Sequence, residues 1–171
     1  MQKKQEVKAL LELANHDATW AIDQELKTEG IIELVTAEAV GRFDRRMADN
    51  GRYTRQDTLY KPDRTSVTTD PLAFLHYYVD FQQWKKDTHL SLRYSSNRLL
   101  LENVTISNQS KQSGGSLQIT ITTADNQMVS LAPKRMVGPS LVAVSYVDER
   151  PLVPFLPSHS FPVVSVEELK W

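Results

Sequence analysis

Cysteine is absent from the 171 residues. That excludes disulfides, thiol nucleophiles and thiolate metal sites within the chain. Neither sign of charge is in excess. The formal net charge is −1, which gives no overall attraction to nucleic acid or anionic lipid. No run of about 18 apolar residues occurs, so no helix of this sequence spans a bilayer. Glycine is sparse. The only glycine pair, in Ser113-Gly114-Gly115, lacks a lysine and a following helix pattern, which excludes a phosphate-cradling loop. No internal repeat is present. Met1-Gln2-Lys3-Lys4 leads into a charged amphipathic stretch rather than an apolar signal core. With Met1 as the native start, that points to a cytoplasmic protein.

What is present suits one globular domain over 1–171: the hydrophobic share is 40% and the charged share 24%. Its grammar changes near the middle. Residues 1–85 carry 26 of the 41 charged side chains, and the rest is rich in Val, Ile, Thr and Ser. The division is a helical part (1–86), a β part (87–149) and a proline-rich tail (150–171). The expected class is α+β, with N-terminal helices packed on a curved antiparallel sheet of about five or six strands.

Val7, Leu10, Leu11, Ala14, Ala18, Ala21 and Ile22 recur at helical steps, predicting a helix over 3–28 that stops at Gly30. Leu13 and Trp20 lie seven apart on a second face. Ile32, Val35, Ala39, Phe43 and Met47 predict another helix over 31–49. Residues 52–70 show no period and read as a mobile loop. Asp70 and Pro71 form a helix start, so a third helix is expected over 70–85, apolar around most of its circumference. Strands follow at Leu90–Tyr94, Leu99–Ile106, Leu117–Ile121 and Met128–Ala132, with turns at Ser96-Asn97 and Asp125-Asn126. A bulge is expected near Glu102-Asn103. The apolar run Leu141–Val147 predicts a central strand buried on both faces. Pro151, Pro154, Pro157 and Pro162 keep the tail out of a central strand.

In layout, long helices followed by a curved antiparallel sheet, the chain is similar to cone-like folds of the nuclear-transport-factor-2 type. That resemblance carries no diagnostic motif. It implies a scaffold that hosts ligand pockets, dimerisation modules or secretion-channel assembly domains, without choosing among them.

Few residues suggest chemistry. On the expected third helix, His76 and Asp80 share a face four residues apart and can form an acid–base pair. Tyr77, Tyr78 and Trp84 would orient an apolar ligand beside them. The competing account is a core helix with one satisfied histidine. His16-Asp17 reads as a solvated polar face. Arginines and lysines over 42–64 interleave with aspartates, which suits a charged surface better than a phosphate site. Ser158-His159-Ser160 has no acid partner, and adjacency in sequence does not make a catalytic pair. No metal or cofactor is called for. The leading expectation is a non-catalytic interaction or assembly domain. It would engage a protein partner or a second copy through Trp20, Phe155 and Phe161. The alternative is a small-molecule-binding protein or lyase/isomerase-like enzyme, with its pocket between helix 70–85 and the sheet. Nucleic-acid binding ranks last.

Overall fold

A computed structural model of the chain describes residues 2–29, 33–149 and 159–169. The N-terminal apolar stripe forms α1 (Gln2–Ala18), burying Val7, Leu10, Leu11 and Ala14. It ends ten residues before the expected boundary. Asp23 takes an extended conformation, and its carboxylate accepts the amides of Glu25 and Leu26 at 3.0 and 3.1 Å, starting a separate short helix, α2 (Gln24–Thr28). An isolated antiparallel bridge pairs Ile22 with Leu34, on either side of α2. The expected stop at Gly30, and Ile32, lie outside the described residues. Helix α3 (Thr36–Gly51) buries Ala39, Phe43 and Met47, the predicted stripe.

The segment expected to be a mobile loop contains a hairpin, β1 (Tyr53–Gln56) and β2 (Leu59–Pro62). Tyr53 and Tyr60 are fully buried and anchor it to the core. The helix expected over 70–85 is instead strand β3 (Leu72–Val79). The reason is that both of its faces are covered. Leu72, Phe74 and Tyr78 pack toward the helices, while Ala73, Leu75, Tyr77 and Val79 pack toward a second sheet. A stretch that is apolar all round carries no period, so it reads equally as buried helix or buried strand.

Six of the remaining seven strands are β4 (Lys86–Ser95), β5 (Arg98–Ser110), β6 (Ser116–Thr123), β7 (Met128–Ser130), β8 (Lys134–Arg135) and β9 (Ser140–Glu149). The last is β10 (His159–Glu168). Ser96 and Asn97 turn the β4–β5 hairpin at positive φ, as expected of that pair. The β4–β5 register shifts between Ser91 and Leu92, opposite Glu102, where the bulge was expected. The glycine pair is set by close approach. Gly114 has φ +94°, and a Cβ on Gly115 would sit 1.9 Å from the Lys86 carbonyl oxygen.

The strands make two open five-stranded sheets, not one of five or six. The first has the order β1-β2-β3-β9-β10. The second runs β5-β4-β6-β7, with β8 also on β6. All pairs are antiparallel except β4–β6. The helices cover one face of the first sheet and the second sheet covers the other, giving two cores. Strand β9 serves both, as its apolar run predicts. Leu141, Ala143 and Val147 face the helices, and Val142, Val144 and Tyr146 face the second sheet. Part of the proline-rich tail proves to be β10. Pro162 is tolerated because this strand lies at the sheet's edge, where a missing amide breaks no ladder.

One polar side chain fastens α1 to the first sheet. Asn15 is fully buried, and its Nδ2 donates to the Leu141 carbonyl at 2.9 Å and to Ser165 Oγ at 3.0 Å. Asn15→Leu leaves both acceptors unpaired in a dry interface. It should cost about 1–3 kcal/mol in urea denaturation, whereas Lys8→Ala on the exposed face should cost almost nothing. Equal effects would show that the amide is not a fastening point.

Candidate functional site

A cavity of about 150 Å³ opens between the start of α3 and the helix-facing side of the first sheet. Leu34, Ala39, Val40, Phe43 and Leu141 supply apolar wall, Thr36 lies at its rim, and β3 contributes His76 and Tyr78. The strand period explains that pairing: residues two apart on β3 emerge on one face. Of the residues singled out for a pocket, the structure therefore brings His76 and Tyr78 together.

The other candidates lie elsewhere. Tyr77 and Trp84 pack into the core between the sheets. The Tyr77 hydroxyl accepts from Gln83 Nε2 at 2.8 Å. Asp80 is engaged by the turn after β3, where its carboxylate accepts the amides of Gln82 and Gln83 at 3.0 and 2.8 Å. The expected pairing of His76 with Asp80 depended on a helix that does not form, and no hydrogen bond joins them.

His76 sits in an aromatic box. The Phe43 ring meets it edge-on at 4.4 Å between centroids, Phe74 lies 5.3 Å away, and Tyr60 stacks beyond Phe74 at 4.3 Å. The Arg55 guanidinium covers the outer face of Phe74 at 5.4 Å. Asp44 is held by Arg55 at 3.2 Å and by the Tyr60 hydroxyl, which donates to it. Burial and that bond to Asp44 keep the Tyr60 hydroxyl protonated far above its usual range.

The histidine ring is half-buried, yet its Nε2 is closed to solvent and has no hydrogen-bond partner. The Tyr78 hydroxyl oxygen is in the same condition. The Glu33 carboxylate and the Leu34 backbone both lie near enough to act on that hydroxyl, but neither meets it in ordinary hydrogen-bond geometry. Burial first, and then Glu33, push it upward. Buried polar atoms in folded proteins almost always find a partner; Asn15 Oδ1 and Trp84 Nε1 are also unpaired, but only His76 and Tyr78 bring two such atoms to one cavity among the described residues. Burial drives the His76 imidazole down from 6.5 to about 4, opposed by Asp44 and assisted by Arg55. The ring is neutral near pH 7.

The residues proposed for protein contact are also spread out. Trp20 is 52% exposed in the loop after α1, and Leu13 is exposed on α1 itself. Phe161 is buried in the helix-side core, against the expectation that it faces a partner. Phe155 lies outside the described residues, as does Ser158. His16 approaches Glu167 at 3.8 Å, while Asp17 pairs with Arg42 and Arg46 at 3.5 and 3.4 Å. Part of the basic stretch over 42–64 is thus matched by local carboxylates.

Sequence reasoning missed the walls, Leu34, Ala39, Val40 and Leu141, and the Phe43–Phe74 bracket around His76. Reading 72–79 with a period of two would have placed Phe74, His76 and Tyr78 on one face. Comparison with protein-family models, curated proteins and solved structures finds no match to this chain.

The buried imidazole has a consequence for stability. The unfolded chain protonates His76 below about pH 6.5, and the folded protein only near 4. The stabilisation is therefore complete above 6.5 and is lost as pH falls through this window, by up to about 3 kcal/mol. Urea denaturation at stepped pH should show a steeper loss for the wild type than for His76→Phe. Parallel curves would contradict a buried neutral ring.

Proposed function

We propose that this chain is a small-molecule-binding domain whose site is the cavity between α3 and β3. One observation carries the proposal: an apolar cavity holds two buried polar atoms, His76 Nε2 and the Tyr78 hydroxyl, for which the described residues supply no well-formed hydrogen bond. Ligand pockets typically combine mostly apolar walls with a few convergent polar groups. A role in binding has more support than one in lyase or isomerase chemistry, because Asp80 is committed to a turn and gives His76 no acid partner. A cone-like layout of the nuclear-transport-factor-2 type is not required, since α3, the first sheet and Leu34 supply the described walls.

The test is a two-dimensional NMR titration with a panel of uncharged one-ring compounds. Shift changes are expected to gather at Leu34, Val40, His76 and Tyr78. Ala39→Leu, which fills the cavity, should reduce the affinity at least tenfold while the fold persists. A panel with no binder would overturn the proposal.

The assembly reading keeps one specific support. Strand β5 is 13 residues long, and its outer edge pairs with no strand among the described residues. Leu100 on it is 51% exposed. Long open edges invite pairing with another chain. The β10 edge is better guarded, because Pro162 lacks an amide and Lys134 Nζ caps the Val166 carbonyl at 3.3 Å. Under this second reading, native mass spectrometry of gently purified protein gives a defined multimer or a bound protein partner, which Leu100→Lys disperses. A strict monomer without a co-purifying protein would remove it.

A further inference from the structure

We infer that the ligand of this cavity is an uncharged, single-ring molecule bearing one hydroxyl group, of the size and polarity of phenol. The inference rests on the binding function proposed above and narrows it to a chemical class.

Size comes first. The cavity measures about 150 Å³. An engineered protein cavity of about this volume accepts benzene, so one six-membered ring fits. The walls are apolar: Ala39, Val40, Phe43, Leu34 and Leu141 offer no donor or acceptor side chains.

Charge comes second. A carboxylate or phenolate would enter a site within the electrostatic reach of Asp44 and Glu33, with no cation among its described lining residues. Arg55 is the nearest cation acting on His76, and it is committed to Asp44 and to the face of Phe74. An ammonium fares no better. Asp44 already accepts from Tyr60 and Arg55, Glu33 does not line the cavity, and the neutral imidazole adds no negative charge. Moving an unpaired charge into apolar surroundings is strongly unfavourable.

Polarity comes third. An entirely apolar ring would leave His76 Nε2 and the Tyr78 hydroxyl as they are, buried and unpartnered. A hydroxyl both donates and accepts. It therefore pairs with Nε2 in either tautomer of the neutral imidazole, and it can give or take a hydrogen bond at the tyrosine. A ketone only accepts and an ether only accepts, so each depends on a single tautomer.

The experiment is isothermal titration of the full chain at pH 7 with phenol, benzene and benzoate, repeated on His76→Phe and Tyr78→Phe. Phenol is expected to bind about tenfold more tightly than benzene, and benzoate not to bind. Each variant should narrow the phenol preference toward unity while benzene affinity is kept, the result that separates hydrogen bonding from lost structure. If His76→Phe fails to fold, Tyr78→Phe alone decides, since it removes one oxygen and keeps the ring. Equal binding of phenol and benzene would overturn the hydroxyl assignment and leave the binding function standing. A phenol preference unchanged in the folded variants would overturn it too. Absence of binding by both compounds would overturn the assignment and count against the cavity as a site for one-ring ligands.

Discussion

Strand β9 has no solvent face, and the rest of the architecture follows from that. Seven consecutive residues, Leu141 to Val147, are buried. A strand presents alternate side chains to opposite sides, so this run must be covered twice. The helices provide one cover and the second sheet the other. Even its serine is accounted for: Ser145 Oγ donates to the Ala73 carbonyl at 2.8 Å, a buried hydroxyl satisfied by the neighbouring strand. Because β3 pairs with β9 over seven residues, from Ala73 to Val79, it inherits the same double burial. That is why a stretch rich in tyrosine and phenylalanine, with a histidine among them, lies inside the protein rather than on a surface helix.

This inheritance places His76. Its register partner on β9 is Ala143, the smallest residue on the helix-facing side of that strand. A small neighbour on β9 and another on α3, Ala39, leave space beside the imidazole that larger residues would fill. Phe43 and Phe74 bracket the imidazole on its other sides, and the Arg55–Asp44 ion pair lies beyond Phe74. The cavity is therefore a product of residue sizes on three separate elements. No single element, read alone, would disclose it.

That explains which parts were legible in sequence. The stripes of α1 and α3, the two turns at positive φ, the bulge at Glu102 and the double burial of β9 are local patterns, and each was readable where period or turn chemistry was clean. The failures share one physical cause. Residues 72–79 are apolar on both faces, so periodicity vanished and the Asp70-Pro71 start signal decided wrongly for a helix. The β1–β2 hairpin rests on two buried tyrosines, Tyr53 and Tyr60, within charged sequence, a tertiary effect that outweighs local composition. His76 and Tyr78 were singled out together for a pocket. The partner proposed for the histidine, Asp80, was an artefact of the helical spacing, because a carboxylate four residues along a strand lies roughly 13 Å away.

The identity of residue 76 is itself informative. Phenylalanine would complete the box formed by Phe43, Phe74 and Tyr60 with no polar atom to satisfy. Histidine in the same place forgoes solvation of Nε2 and depresses its own basicity, as its shift to about 4 records. A structural role gives no return for that loss, since the nitrogen bonds to nothing among the described residues. Tyr78 likewise buries a hydroxyl oxygen that meets no partner in ordinary geometry among the described residues. Two such costs two residues apart, opening onto one cavity, are poorly explained by packing and are well explained by an external group that uses both atoms. Locally suboptimal choices of this kind are expected at functional sites. Under the proposed binding function, the neutrality of His76 near pH 7 would act as a filter: a protonated ring would attract anions to the pocket, whereas a neutral one in apolar walls would favour a ligand that brings a dipole and no charge.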